Sequence, residues 1–447
     1  MSLETLARLQ SGQLAGAQRL TLRAGLTHFP REIFDLADTL EVLDLSGNAL
    51  SDLPHDLSRL HRLRVLFCSD NAFTHLPSCL GDCAQLDMVG FKANQIVDVP
   101  AAALPPRLRW LILTDNRIAH LPAELGQRPR LEKLMLAGNQ LTHLPDTLAQ
   151  CQQLALLRIA ANRFDALPPW LSTLPRLAWL AWAGNPLSLP VESLALSQAQ
   201  AQRIAPDTVD IGQPLGEGAS GVIHAATWHT PTGARPVAIK HFKGLMTSDG
   251  LPSSEIAASV RAGTHPHLIG VHGLLAAPAS AQVNTRLVMQ RIDTGYRSLA
   301  GPPSLASCSR DVYADELRLP WANALALLMG MASAATHLHA QGILHGDLYA
   351  HNILWDGQGH GLLGDFGAAS LLPAAQVDLA PALMRQEVLA LGYLMQELLA
   401  RSTPTPDDTR DTRSAVEGLC ARCLQPQVLL RPGMADVADT LRQLTAA

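Results

Sequence analysis

Between residues 343 and 367 the chain reads ILHGDLYAHNILWDGQGHGLLGDFG, which brings Asp347, Asn352 and Asp365 close together in sequence. Two carboxylates and an amide are hard oxygen donors of the kind that hold a divalent cation, and a carboxylate within reach of a hydroxyl accepts its proton. Upstream, IGQPLGEGASGVIHAATW places Gly216, Gly218 and Gly221 in G-x-G-x-x-G spacing, and VAIK follows at 237–240. Glycines let a backbone fold closely over phosphate oxygens, and Lys240 adds a compact positive charge. The glycine motif alone is weak, because a dinucleotide-binding fold has similar glycines. Here the flanking residues are β-rich and no helix opens at the last glycine. Ordinary turn Asp and Asn residues account for any one of these positions but poorly for five ordered motifs.

Taken together the motifs resemble those of protein kinases. The glycine loop ends on Ile223, VAIK supplies Lys240, HGDLYAHN stands where the family has H-R-D-L-x-x-x-N, and Asp365-Phe366-Gly367 is D-F-G. The resemblance implies Asp347 as the hydroxyl-orienting base, Asn352 and Asp365 as magnesium ligands, and Lys240 on the α- and β-phosphates of ATP. It further implies that Glu255, in EIAASVRAG before HPHLIGVHG, aims Lys240, with Glu217 and Asp249 as weaker choices. The hinge implied is 287–290, with Met289 as gatekeeper and Gln290 to Ile292 reading adenine. Leu215, Ile223, Ala238 and Leu354 would complete the nucleotide pocket.

Several positions depart from the pattern. Gly346 replaces the arginine of H-R-D, a spelling shared with aminoglycoside and choline kinases. Tyr349 replaces the lysine usual in Ser/Thr kinases. Only a short segment separates Asp365 from Glu387, the expected substitute for the aspartate that opens a later helix. Ala380-Pro381-Ala382 reads as a remnant of A-P-E, and 423–432 resembles a late helix whose Arg431 has lost its usual glutamate. These features keep open a pseudokinase scaffold and a small-molecule phosphotransferase beside the main expectation, an ATP- and magnesium-dependent kinase acting on protein Ser/Thr.

The first half of the chain has a different organisation. LEVLDLSGNAL returns six more times between residues 63 and 187, with asparagines at 48, 71, 94, 116, 139, 162 and 185. The spacing is 23 residues with one step of 22. The pattern resembles leucine-rich repeats over about residues 17–190, with an earlier copy that has Gly25 in place of asparagine. Each repeat is expected to give a short strand whose leucines point inward, an asparagine that satisfies buried backbone groups, and an extended Leu-Pro exit (Leu53-Pro54, Leu76-Pro77, Leu121-Pro122, Leu144-Pro145). The outward positions Phe67, Met88, Trp110, Ile112, Met135, Leu156 and Trp179 are expected to form a concave surface for a protein partner, or to pack within the chain. Trp182 falls on an inward position. His28, His75, His120 and His143 recur at one place per repeat, without the carboxylates a metal site would need.

The expected fold is an α/β repeat solenoid over 1–204 followed by a two-lobed α+β kinase domain over 205–447. The 447 residues suffice for two or three domains, and 47% hydrophobic content suits packed cores. A net charge of -5 without basic clusters argues against nucleic-acid binding. Seven scattered cysteines suit a reducing compartment, and Cys420-x-x-Cys423 has no second ligand pair for zinc. No apolar run is long enough to span a membrane, 321–336 being a core helix instead, so a cytoplasmic protein is expected.

Overall fold

A computed structural model describes residues 2–200, 203–218, 220–244, 246–276, 286–403 and 410–446. It divides into two units, 1–174 and 175–447.

The first unit opens with helix α1 (Ser2–Gln10) and then repeats one small device. Strands β1 (Arg19–Thr21), β2 (Val42–Asp44), β3 (Val65–Phe67), β4 (Met88–Gly90), β5 (Trp110–Ile112), β6 (Lys133–Met135) and β7 (Leu156–Arg158) pair in parallel, each with the next. Their middle residues align as one inward column, Leu20, Leu43, Leu66, Val89, Leu111, Leu134 and Leu157, all buried. A three-residue strand cannot bury such a face alone, so each repeat depends on its neighbours. The asparagines close the stack. Asn116 donates from Nδ2 to the carbonyls of Phe91 (2.9 Å) and Leu113 (3.0 Å) and accepts from the Ile96 N–H (2.9 Å). Asn139 and Asn162 repeat this one and two turns on. Removing one such amide would orphan several buried groups, at roughly 1–3 kcal/mol each. Pro77, Pro122 and Pro145 are extended and lead into short 3-10 turns, the exit that the Leu-Pro steps call for.

The concave positions divide. Phe67, Trp110, Ile112 and Met135 are half-exposed, whereas Met88 and Leu156 are buried. Met88 lies in register between Val65 and Trp110, large neighbours that leave a mid-sheet side chain little water. The surface expected to include Met88 and Leu156 is therefore narrower.

The second unit begins before the last repeat copy. Strand β8 (Trp179–Ala181) leads to α2 (Leu189–Gln200), and Trp182 is fully buried as its inward position requires. Next come β9 (Arg203–Ile204), β10 (Val209–Glu217), β11 (Gly221–Thr230), β12 (Gly233–Phe242), α3 (Pro252–Ala262), β13 (Val271–Leu275) and β14 (Arg286–Gln290). Their sheet runs β10-β11-β12-β14-β13-β9, antiparallel except for the last pair. Alternate residues Val237, Ile239 and Val288 fill one face of it with Ile204, Val209, Ala226 and Leu275. A mainly helical part follows: β15 (Arg297–Ser298), β16 (Leu319–Pro320), α4 (Trp321–Ala340), β17 (Ile343–Leu344), β18 (Ile353–Trp355), β19 (Gly361–Leu363), β20 (Ser370–Leu371), α5 (Ala380–Arg401), β21 (Ser402–Thr403), α6 (Arg410–Cys423) and α7 (Met434–Ala446).

Two local expectations are corrected. Ala380-Pro381-Ala382 is no separate A-P-E turn but the first turn of α5, where proline is favoured because its missing N–H would be unpaired anyway. Residues 424–432 form no helix: α6 ends at Cys423 and the chain passes through a short turn at Val428–Leu430. Arg431 is buried, and its guanidinium donates to the carbonyls of Gln425 (2.8 Å), Arg385 (3.3 Å) and Pro175 (2.6 Å) in place of a carboxylate. Burial without an anion lowers it to about 10.

Candidate active site

The glycine turn joins β10 to β11. A Cβ added at Gly216 or Gly218 would meet nothing within 4 Å, whereas at Gly221 it would lie 2.4 Å from the His241 carbonyl. Gly221 thus permits the close pairing of β11 with β12, and the first two glycines leave open space at the tip. Pairing also sets Ile223 beside Lys240 and Ala238 beside Met289, so the loop, the lysine and the hinge strand share one sheet. Ala238 is buried, Met289, Ile292 and Leu354 are half-buried, and Leu215 and Gln290 are exposed.

Lys240 Nζ donates to Glu255 Oε1 on α3, and both side chains are buried. Asp365 Oδ1 lies 3.9 Å from the same nitrogen. Of the alternative carboxylates, Glu217 instead pairs with Lys243 across the glycine turn. Burial raises the Glu255 carboxyl to about 7, against the pull of Lys240 and with a push from Asp365. Its Oε2 is buried without a hydrogen bond.

Below the sheet, Asn352 Nδ2 donates to the Asp347 carbonyl (2.9 Å) and to Asp347 Oδ2 (2.8 Å). With its nitrogen taken, the amide oxygen of Asn352 is left for another partner. His345 Nε2 sits 2.9 Å from the Gly364 carbonyl, tying the segment 345–352 to the turn that holds Asp365. Asp365 itself has φ +54, a region that non-glycine residues enter at a cost and that concentrates at functional sites. Glu387, expected to open its helix, lies about two turns inside α5, where it accepts from the Gly346 N–H (2.8 Å) and bonds His339 (2.7 Å). Burial works against its charge, but those two donors prevail and hold it below its usual range.

Gly346 has φ +70, and a Cβ there would lie 2.5 Å from the Ala368 carbonyl and 2.7 Å from that of Leu180. Backbone occupies the space into which an arginine would project. Trp179, expected on the concave surface, is buried: its indole donates to the Leu348 carbonyl (3.2 Å) and its ring stacks on Tyr349 at 4.1 Å and 7°. An aromatic partner explains why Tyr349 stands at this position. Leu180 gave no sign in the sequence, since its closeness to position 346 is a contact distant along the chain.

Among the described residues no group of His, Cys, Asp and Glu is arranged to hold a metal by itself. Of the recurrent histidines, His75 forms an isolated parallel bridge with Asp98 and lies 3.9 Å from Asp52, and His120 packs on His143. Cys420 and Cys423 are buried, and burial pushes their thiols up to about 11 and 12. Among the described residues no helix is long and apolar enough to cross a membrane.

The Lys240–Glu255 pair, the Asn352–Asp347 pair and Asp365 facing Lys240 therefore lie in one unit with the glycine turn. Comparison with protein families agrees: a protein kinase domain matches residues 209–419, and leucine-rich repeats match 106–164 and 39–60. The chain joins N-terminal leucine-rich repeats to a C-terminal protein kinase domain. It is similar to leucine-rich repeat and calponin homology domain-containing protein 1 of Mus musculus, 30% identical over 122 residues (27% of this chain, 17% of the relative). It is also similar to CBL-interacting protein kinase 4 of Oryza sativa subsp. japonica, 30% over 166 residues (36% and 33%). LRR receptor-like serine/threonine-protein kinase ERL2 of Arabidopsis thaliana is 26% identical over 167 residues (36% and 15%). The chain spans a third or less of the length of these relatives.

Proposed function

We propose that residues 205–447 form an ATP- and Mg²⁺-dependent protein kinase acting on Ser/Thr hydroxyls, and that the repeats, to about residue 204, recruit its protein partners. The observation that supports catalysis over a pseudokinase scaffold is the joint arrangement of Lys240–Glu255, Asn352–Asp347 and Asp365 in one unit. In this reading Lys240 binds the α- and β-phosphates and Glu255 keeps its ammonium aimed. The open space around Gly216 and Gly218 suits phosphates approaching the backbone, and Ile223, Ala238, Leu354, Met289 and the Gln290–Ile292 backbone receive adenine. The Asn352 amide oxygen and the Asp365 carboxylate are hard donors that fit Mg²⁺, which when bound neutralises charge between the phosphates. Asp347, held by Asn352, accepts the proton of the attacking hydroxyl and orients it in line. Relatives named as kinases, one of them a serine/threonine-protein kinase, support the substrate class.

One observation favours a second reading. Only residues 368–379 separate Gly367 from α5, which leaves little chain to seat a peptide. A small-molecule phosphotransferase of the aminoglycoside-kinase type needs no such seat. Incubating the chain with labelled ATP and Mg²⁺ against a mixed protein extract, then against small amines and alcohols, separates the three. Label on protein Ser/Thr supports the main reading, label only on small molecules the second. Transfer to neither, with nucleotide still bound, means a scaffold.

A further inference from the structure

The segment that opens the second unit touches three parts of the site. On α2, Leu196 packs against the cluster of Ile256 on α3 with Leu274 and Leu287. Four residues earlier, the buried carboxylate of Glu192 does two things at once. Its Oε1 accepts the Gly184 N–H (2.8 Å), fixing the turn after β8, and its Oε2 accepts the Ser254 hydroxyl (2.7 Å) on α3. Ser254 directly precedes Glu255, the partner of Lys240.

The β8 end of the same segment reaches the other two parts. Trp179 bonds the Leu348 carbonyl and stacks on Tyr349, one and two residues past Asp347. The Trp182 N–H donates to Ser370 Oγ (2.9 Å), beyond the Asp365-Phe366-Gly367 turn. The Leu180 carbonyl stands where a side chain on residue 346 would begin. So 179–192 is one short stretch that contacts α3, the catalytic loop and the segment after Asp365.

Resting on the kinase reading, we infer that Glu192 is a positioning residue: it holds α3, and therefore Glu255, in the place that aims Lys240. The β8–α2 segment thereby does the ordering that an arginine at 346 and a phosphorylated segment would otherwise do. The geometry gives Glu192 no contact with reacting atoms. Its action is through α3, because truncating it strands the Gly184 N–H and the Ser254 hydroxyl in a buried place and frees one end of the helix.

The test uses the full chain with Glu192→Ala, Glu192→Gln and Ser254→Ala. Amide hydrogen exchange over 252–262 is followed with 321–340 as internal reference, alongside kcat and KM for ATP. Glu192→Ala is expected to speed exchange over 252–262 at least tenfold, leave 321–340 unchanged and lower kcat about tenfold with little change in KM. Glu192→Gln keeps an acceptor for Gly184 and a donor toward Ser254, so it is expected to restore most of the protection. Exchange does not depend on phosphotransfer. Fast exchange in a chain that transfers no phosphate keeps the positioning role and removes the kinase reading. Unchanged exchange over 252–262 in Glu192→Ala overturns the inference. If that variant does not fold, Ser254→Ala decides on the same readout: faster exchange confined to α3 supports the role, and wild-type exchange overturns it.

Discussion

Asp365 is the residue on which the nucleotide reading turns, because it faces Lys240 and sits in a backbone region that needs support. A ligand that binds only the folded chain raises its stability by mass action, about 2.7 kcal/mol at a hundred times Kd. MgATP is expected to raise the thermal midpoint of the chain, and Asp365→Asn to remove most of the magnesium-dependent part. An unchanged midpoint at millimolar MgATP in the unsubstituted chain would contradict nucleotide binding. Glu255 makes a second prediction. Its carboxyl stands at about 7 in the fold against 4.5 when unburied. A carboxyl raised in this way contributes stability that is complete below 4.5 and lost as pH rises through about 7. The ionised form, however, is the one that pairs with Lys240. Turnover is therefore expected to climb between about pH 6 and 8 while stability declines. Glu255→Gln, permanently neutral, should flatten that limb and lower kcat/KM for ATP. A wild-type limb near 7 that survives in this variant would assign it to another group.

At the scale of elements, the segment after Asp365 is held by packing. Ser370, the one hydroxyl between Asp365 and Glu387, is fully buried and bonds Trp182. Phosphate could reach it only by displacing β8. Phosphatase treatment is therefore expected to leave the rate unchanged, and a loss of tenfold, about 1.4 kcal/mol in the barrier, would reveal a phosphate switch. Ser370→Ala should also keep its rate while losing stability, because the Trp182 N–H is left unpaired. Gly346→Arg goes further, since its Cβ would meet two backbone carbonyls that cannot rotate away. It is expected to lower the thermal midpoint rather than add a phosphate-binding arginine.

What the sequence shows and what it hides divide along the same line. The repeats were legible because each asparagine and leucine acts within one or two turns of itself, and Lys240, Asp347, Asn352 and Asp365 because their spacing is fixed by short local elements. The pairing of Glu255 with Lys240 was legible from its order between VAIK and the next strand. Trp179 was misplaced because the repeat pattern describes a strand face without saying what lies against it. The position of Glu387 was misread for a related reason: a helix can begin seven residues before its buried glutamate.

For the whole molecule, the remaining question is what the repeats present to others. Burial of Met88 and Leu156 leaves Phe67, Trp110, Ile112 and Met135 as the half-exposed members of the expected concave surface within 1–174. Trp110 is further ordered by Lys133, whose ammonium lies 4.6 Å from its ring, so little rotamer entropy remains to be lost on binding. Rigid aromatics of this kind concentrate binding energy, often 2 kcal/mol or more per residue. Trp110→Ala and Phe67→Ala are each expected to weaken capture of a protein partner about thirtyfold or more, a change of roughly 2 kcal/mol. Both belong to the unit 1–174, and the proposed nucleotide residues all belong to 175–447, so the MgATP-dependent rise in thermal midpoint is expected to persist in both. Truncation of a half-buried ring also costs some stability, and circular dichroism on each variant separates that loss from lost contact. Recovery of the same partners at the same strength by both variants, and by a chain lacking residues 1–174, would place recruitment elsewhere on the molecule.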